Sequence, residues 1–274
     1  MASMIETIKR RKSVRTFRDQ ALGVVQKSNI QRVCYANILG PLGNRSRFAI
    51  VDISEQDKQA VKKLGTYGMI NGCNCFIAGI VKPAAANALI DFGYSFEKTV
   101  LELTAIGLGT CWMAGTFNKA GFVNQAQLKE GESLVVLSPV GLAAQKKSIV
   151  ESLIDWIKPH SKRKSWDMLF FEGATATPLT REKAGRYATA LECVRVAPSA
   201  INVQPWRIIK DPAANVFHFC SIPQKKAGNE ELHIGIAMAN FELAARESAL
   251  TGKWKIVNTT IDGMRCYVDW VGQQ

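Results

Sequence analysis

Two stretches of the 274-residue chain gather side chains that could hold a small ligand. One is Ala197-Pro198-Ser199-Ala200-Ile201-Asn202-Val203-Gln204-Pro205-Trp206. Pro198 and Pro205 fix φ at two points and push the residues before them into extended geometry. Between them, Ser199, Asn202 and Gln204 offer a hydroxyl and two carboxamides, groups that both donate and accept hydrogen bonds. Such a loop can hold a flat ligand with polar edges in one orientation. It runs straight into the apolar Ile208-Ile209, so it reads as a rigid loop feeding a buried strand. The other stretch is Arg11-Lys12-Ser13-Val14-Arg15, whose forked guanidinium donors suit a phosphate dianion. Alone it would read as a solvated basic helix end. Joined to the Pro198 loop it reads as the opposite wall of one site.

Charge agrees with an anionic ligand. The net charge is +12, which suits a phosphate, a nucleotide or nucleic acid. The basic residues cluster in two short runs, Lys9-Arg10-Arg11-Lys12 and Lys162-Arg163-Lys164, which fit a small phosphate better than a long polyanion. No helix-turn-helix, zinc-finger or RNA-recognition signature appears. Cys73-Asn74-Cys75 has no second cluster and only three His exist, so no zinc site is expected. The seven Cys sit mostly in apolar contexts and read as reduced core thiols of a cytoplasmic protein. Glu97 and Glu102 could suggest paired carboxylates, but five-residue spacing puts them off a shared face and they read as helix surface. His160, His218 and His233 have no nucleophile nearby in sequence and receive no catalytic role. The first residues lack the apolar core of a signal peptide, and no apolar run is long enough to span a membrane.

The elements that must position these groups follow from periodicity. Helices are expected over 4–11, 24–38, 86–106, 180–194 and 232–250. In the second of these Val25, Ile30, Val33 and Tyr35 are available for the buried side. The third carries an apolar face through Leu89, Phe92, Phe96, Val100, Leu103 and Ile106, and stops at Gly107-Leu108-Gly109. Thr180 is a candidate N-cap. Short apolar runs at 48–52, 75–81, 134–142, 207–209, 216–220 and 265–271 read as strands. Trp206 precedes a strand and reads as core.

The order of elements repeats: helix, loop, strand, strand, long helix, strand. Gly93 to Trp112 spans nineteen positions, as does Gly235 to Trp254. Phe92 then matches Ile234, Leu101 matches Leu243 and Leu108 matches Leu250. Separately, Asn44 and Phe48 to Val51 align with Asn202 and Trp206 to Ile209. Two aligned features in one order favour a duplication, with the halves meeting near Lys158-Pro159-His160. The basic Arg11 motif and the Gly107 turn occur only in the first half, and the full Pro198 loop only in the second. One complete site per chain could be built from both.

These motifs resemble those of the FMN-dependent nitroreductase family. Arg11-Lys12-Ser13-Val14-Arg15-Thr16-Phe17 is similar to its R-R-S-V-R-x-F, the Pro198 loop to its A-P-S-A-x-N-x-Q-P-W, and Gly107-Leu108-Gly109-Thr110-Cys111-Trp112 to its G-L-G-T-C-W. Usual members are shorter chains that pair as homodimers with FMN at the interface. The resemblance here is to a single-chain branch. It implies an α+β nitroreductase-like fold of two structural repeats, 1–157 and 158–274, forming an intramolecular pseudo-dimer around one FMN groove. It assigns phosphate contact to Arg11 and Ser13 with Lys12 beside them, and Arg15 to the pyrimidine edge of the flavin. Pro198, Ser199, Ala200, Asn202 and Gln204 would shape and line the ring pocket. Backbone of Met113, Ala114 and Gly115 would approach N5, and Lys162 and Arg163 would form a late basic pair near the phosphate. Positive charge near N1 suits a reduced flavin.

The resemblance thus implies an FMN-dependent NAD(P)H oxidoreductase. A nicotinamide would pass hydride to flavin N5, and a nitroaromatic or quinone would take it up, with no side chain needed as general acid or base. The alternatives are a flavin storage or sensor module with little turnover and a cofactor-free basic nucleic-acid-binding protein. A cytoplasmic protein without nucleic-acid or membrane partners is expected. An internal pseudo-dimer has less need to pair, so a monomer is expected over a homodimer.

Overall fold

In chain order the first elements are α1 (Met4–Arg10), α2 (Val24–Ala36), β1 (Arg47–Asp52), β2 (Cys75–Val81), α3 (Ala88–Ala105), β3 (Gly109–Thr110), α4 (Lys119–Ala126) and β4 (Ser133–Gly141). There follow β5 (Phe170–Glu172), β6 (Ala174–Pro178), α5 (Arg181–Ala184), α6 (Ala188–Val196), β7 (Trp206–Lys210), β8 (Val216–Ser221), α7 (Glu230–Glu247), β9 (Gly252–Ile261) and β10 (Met264–Gly272). Single 3-10 turns lie at Trp166–Met168, Gly185–Tyr187 and Ala200–Asn202. This computed structural model describes residues 2–54, 66, 68–115, 117–146, 148, 150–152, 162–223 and 230–273. The expected boundary at 157/158 and His160 lie outside them.

The strands form two sheets. The first has the order β1-β2-β4-β3, with every neighbour antiparallel. In the second, β6-β5-β7-β8-β10-β9, the run β7-β8-β10-β9 repeats that order, and β5 lies parallel to β7. Alternation along a strand sends successive side chains to opposite faces. In β2, Cys75, Ile77 and Val81 enter the main core, while Phe76, Ala78 and Ile80 enter a second core closed by Phe122 and Ala126 of α4.

The main core is continuous between the inner faces of both sheets. Contacts run from the first sheet to α3, from α3 to α7, and from α7 to the second sheet. The two helices meet closely because each has a glycine at the crossing. A Cβ at Gly93 would fall on the Leu232 carbonyl, and one at Gly235 on the Ile90 carbonyl. No other residue allows that approach. Polar bridges flank the crossing. Glu97 of α3 accepts from Trp112 Nε1 (2.9 Å) and from Asn240 Nδ2 of α7 (3.2 Å). Glu242 of α7 accepts from Trp254 Nε1 (2.6 Å) and from Tyr94 Oη of α3 (2.8 Å). Each carboxylate is thus bonded by an indole after its own helix and by a polar group of the other helix.

Several expectations need correction. Val25 and Tyr35 are 74% and 78% exposed. The buried stripe of α2 runs through Ile30, Val33 and Cys34, and both residues fall off it. The helix expected over 180–194 starts as expected, with Thr180 Oγ1 accepting the Lys183 N–H (3.2 Å). It then breaks at Gly185, where φ is +55°. Glu97 is not helix surface; it is completely buried. The Cys are not all reduced: Cys220 and Cys266 form a disulfide. They stand directly opposite across β8 and β10, a register that sequence spacing does not reveal. Of the five free thiols, burial pushes Cys34, Cys73, Cys75 and Cys193 up to about 12, which leaves them poor nucleophiles.

Candidate functional site

The basic motif is fixed by the turn that ends α3. Gly107 takes φ +85°, and Gly107 and Leu108 N–H donate back to the Thr104 and Leu103 carbonyls (3.1 and 2.9 Å). Arg10 Nη2 donates to the end carbonyls of Thr104 and Ala105 (3.3 and 3.4 Å). A cation there also complements the helix dipole. The chain then leaves α1 extended. Ser13 pairs with Thr110 and Val14 N–H donates to Thr110 O (2.8 Å). Gly109 must lack a side chain, since its Cβ would come within 2.8 Å of Val14 Cγ2. Ser13 hydrogen-bonds the Cys111 thiol. Two motifs nearly a hundred residues apart therefore form one strip.

The Pro198 loop is held from inside. Ser199 Oγ accepts from Gln204 N–H (2.9 Å) and Gln204 Oε1 accepts from Lys164 N–H (2.9 Å). Gln204 Nε2 donates to the Asn202 backbone and side-chain oxygens (3.2 Å each). Gln204 is buried, its carboxamide bonded to the loop's own Asn202 and to the Lys164 backbone; Pro198 is buried as well. Ile201, Asn202 and Gln204 all take positive φ, at +44°, +61° and +45°. For β-branched Ile201, 56% exposed, that is a strained conformation. His233 of α7 anchors the loop, its Nε2 accepting the Ala200 N–H (3.1 Å). That bond requires the neutral tautomer protonated at Nδ1. Burial agrees, pulling His233 down to about 4. Trp206 is fully buried, as its place before a strand implies.

The two walls are linked by charge around Glu97. Asn202 Oδ1 accepts from Arg163 Nη1, and Asn202 Nδ2 donates to Lys162 O (2.8 Å). Arg163 in turn feels both Arg11 and Glu97: burial, then Arg11 and Arg195, pull it down to about 10, while Glu97 opposes them. Burial also lowers Arg11, against Glu97, with Arg15 adding repulsion. Burial pushes the Glu97 carboxyl up to about 7, against the pull of Arg11, Asn240, Trp112 and Arg163. Arg11 and Arg163 thus feel one buried carboxylate electrostatically, and Asn202 is bonded to Arg163. Lys12 and Lys162 are exposed beside them. Met113 is buried and pairs with Leu137 through both backbone bonds (3.0 and 2.9 Å), with Ala114 and Gly115 exposed beyond it. A separate cleft of 360 Å³, lined by Asn44, Arg45, Ser46, Lys82 and Glu132 among others, shares none of these residues.

Glu97, Asn240 and His233 are the residues sequence reasoning overlooked. Glu97 had a visible signal: Gly93, Tyr94, Val100 and Leu101 surround it at helical spacing, so it had to be buried. His233 and Asn240 had none, because their partners come from distant segments. Chemically, two guanidiniums feel the charge of one buried carboxylate, and burial plus mutual repulsion leave them short of negative charge. A phosphate monoester fits them. Among the described residues no group of three or more His, Cys, Asp or Glu could hold a metal, and no helix is long and apolar enough to cross a membrane.

Comparisons with known proteins match this architecture. A structure described as a "putative nitroreductase", from Thermotoga maritima, aligns with TM-score 0.62 over 98% of this chain and 94% of its own, at 18% identity. A nitroreductase with bound FMN from Desulfitobacterium hafniense covers 54% of this chain and 92% of its own, with TM-score 0.43 and 18% identity. A nitroreductase family protein from Clostridium novyi covers 54% and 90%, with TM-score 0.39 and 22% identity. No curated protein matches. The family model described as "Putative TM nitroreductase" matches residues 3–245. With that match over most of its length and the Thermotoga fold over nearly all of it, the chain belongs to this nitroreductase family.

Proposed function

We propose that the chain is an FMN-dependent NAD(P)H oxidoreductase of nitroreductase type, built as an intramolecular pseudo-dimer with one flavin groove between halves 1–157 and 158–274. The observation that carries this is that Arg163, bonded to Asn202 of the second half, feels the charges of Arg11 and Glu97 from the first. The repeated strand order of the two sheets and the paired glycines of the helix crossing support the duplication. When bound, FMN would relay a hydride from a nicotinamide to an acceptor such as a nitroaromatic or quinone. The residues supply binding and electrostatics. Arg11, Ser13 and Arg163, with Lys12 and Lys162, would hold the phosphate; Arg15 would face the pyrimidine edge. Ser199, Ala200 and Asn202 would line the ring, with Pro198 and Gln204 stiffening their loop from within. The backbone of Met113, Ala114 and Gly115 would close the opposite side. A monomer in the cytoplasm fits this reading, since both walls lie in one chain.

The test is spectroscopic. Purified protein given FMN should retain a yellow chromophore through gel filtration and then oxidise NADH or NADPH when a nitroaromatic or quinone is added. Arg11→Ala with Arg15→Ala should weaken FMN binding at least tenfold, or about 1.4 kcal/mol, by fluorescence titration. Protein that stays colourless at saturating FMN would remove the flavin reading. Bound flavin inert to both nicotinamides would leave a binding module.

A further inference from the structure

We infer that the cleft beside the first sheet is a binding site for a small organic carboxylate, independent of the proposed flavin groove. Its volume of 360 Å³ is that of a small-molecule pocket. It lies where the start of β1 and the end of β2 meet the first turn of α3, which contributes Ala88. The charged groups around it are Arg45, Arg47, Lys82 and Glu132. Glu132 is already engaged: its carboxylate accepts from Arg47 Nε (3.0 Å), Arg47 Nη2 (2.5 Å) and the Lys129 N–H (2.8 Å). The side chains of Arg45 and Lys82 are exposed and ion-pair with no acid among the described residues. Two uncancelled cations on one concave rim focus a positive field. The helix adds to it. Asn87, at the N-cap of α3, takes φ +60° and makes no capping bond, which leaves the positive end of the dipole without a side-chain acceptor there. Asp91, the acid of that turn, is occupied by the Leu42 and Asn44 N–H groups.

The matching place in the second half shows why this one is open. On the alignment of Asn44 with Asn202, Ser46 stands where the second half has Gln204. Gln204 is long enough for its Oε1 to accept the Lys164 N–H (2.9 Å). Ser46 is shorter, lines the cleft and is 6% exposed, and its Oγ has no hydrogen-bond partner. A buried hydroxyl left in that state is costly, and its proton can rotate toward an incoming acceptor. The lining also selects the ligand. The Arg45 guanidinium offers a planar fork that matches a carboxylate, with Lys82 as a second positive point. Ile80, Val81, Ala85 and Ala88 carry no polar side-chain group, so this part of the lining suits an apolar body better than a bare inorganic anion.

The experiment is calorimetric titration of the whole chain with benzoate, set against benzyl alcohol, which keeps the ring without the charge, and against inorganic phosphate. Benzoate should bind saturably, and the other two at least about tenfold more weakly. Arg45→Ala with Lys82→Ala changes two exposed side chains and should weaken benzoate about tenfold or more, with FMN affinity unchanged. Ser46→Gln places the second half's longer side chain in the cleft and should abolish benzoate binding, again without effect on FMN. Should that buried substitution fail to fold, the exposed pair still decides the matter. Benzoate binding that is lost in Arg11→Ala with Arg15→Ala but kept in Arg45→Ala with Lys82→Ala belongs to the flavin groove and overturns the inference. No saturable benzoate binding overturns it too, as does phosphate or benzyl alcohol binding as tightly as benzoate. None of these outcomes bears on whether FMN binds.

Discussion

The loop at Leu42-Gly43-Asn44 and the loop at Ala200-Ile201-Asn202 occupy matching places, each just before a strand and each bonded to one of the two central helices. In the first, Asp91 accepts the Leu42 and Asn44 N–H groups (2.8 Å each) and Asn44 Nδ2 (3.0 Å). In the second, the residue at the matching distance before the helix glycine is His233, and it accepts only the Ala200 N–H. Asp91 thus holds its asparagine side chain, whereas His233 leaves Asn202 to face Arg163. The central residue differs too. Gly43 takes φ +100° without strain, while Ile201 takes +44° against its branched side chain. The first loop is closed on itself, and the second is strained and turned toward the basic cluster. On the proposed reading, similar backbones serve structure at one loop and ligand contact at the other when one anchoring residue changes.

The helix crossing should be symmetric where the loops are not. Gly93→Val and Gly235→Val should both abolish folding or cost more than about 4 kcal/mol, since each drives a side chain into a backbone carbonyl. Urea unfolding checks this; tolerance of one and not the other would break the equivalence of the halves. The next effect is in pH. Glu97 rises from an ordinary 4.5 to about 7, so folding loses stability as pH climbs through that window. His233 drops from 6.5 to about 4, so folding loses stability as pH falls through nearly the same window. The slopes oppose each other, each worth about 3 kcal/mol at most. Relative to wild type, Glu97→Gln should expose a profile that weakens toward acid, and His233→Gln one that weakens toward neutral pH. Parallel shifts in both variants would show that neither group titrates as its surroundings imply.

Smaller effects sharpen the contrast between the loops. Asp91→Ala should cost about 2 kcal/mol by leaving backbone donors unpaired, with FMN affinity unchanged. His233→Ala should cost about 1 kcal/mol but weaken FMN severalfold, because the loop it anchors lines the proposed site. Equal responses in stability and affinity would erase the distinction. Ile201→Gly should raise stability by about 1 kcal/mol through relief of strain, while loosening the ligand. Gly43→Ala should do the reverse to stability and nothing to the ligand.

The sequence made some of this legible and hid the rest for identifiable reasons. The long helices, the glycine stop at Gly107 and the Thr180 cap are local signals, and each stands in the structure. The basic motif and the Pro198 loop were visible as chemistry, but their meeting through Arg163 depends on a tertiary register that no local pattern encodes. Gln204 looked like a ligand group because a carboxamide in a loop has that appearance in any sequence; the fold turns it inward. The short β5 and β6 and the largely exposed β9 lack an apolar signature of strand length. The Cys220–Cys266 pair arises only from strand alignment.

The glycine crossing has one more implication. Where two identical subunits meet about a twofold axis, every substitution is made in duplicate, and a residue that improves one face alters its mirror image as well. Here the two helices that touch at Gly93 and Gly235 are encoded at different places in one polypeptide. On the proposed duplication, position 91 can hold aspartate while 233 holds histidine, and 43 glycine while 201 holds isoleucine. Covalent continuity would then give selection an independent hand on each side of the proposed groove.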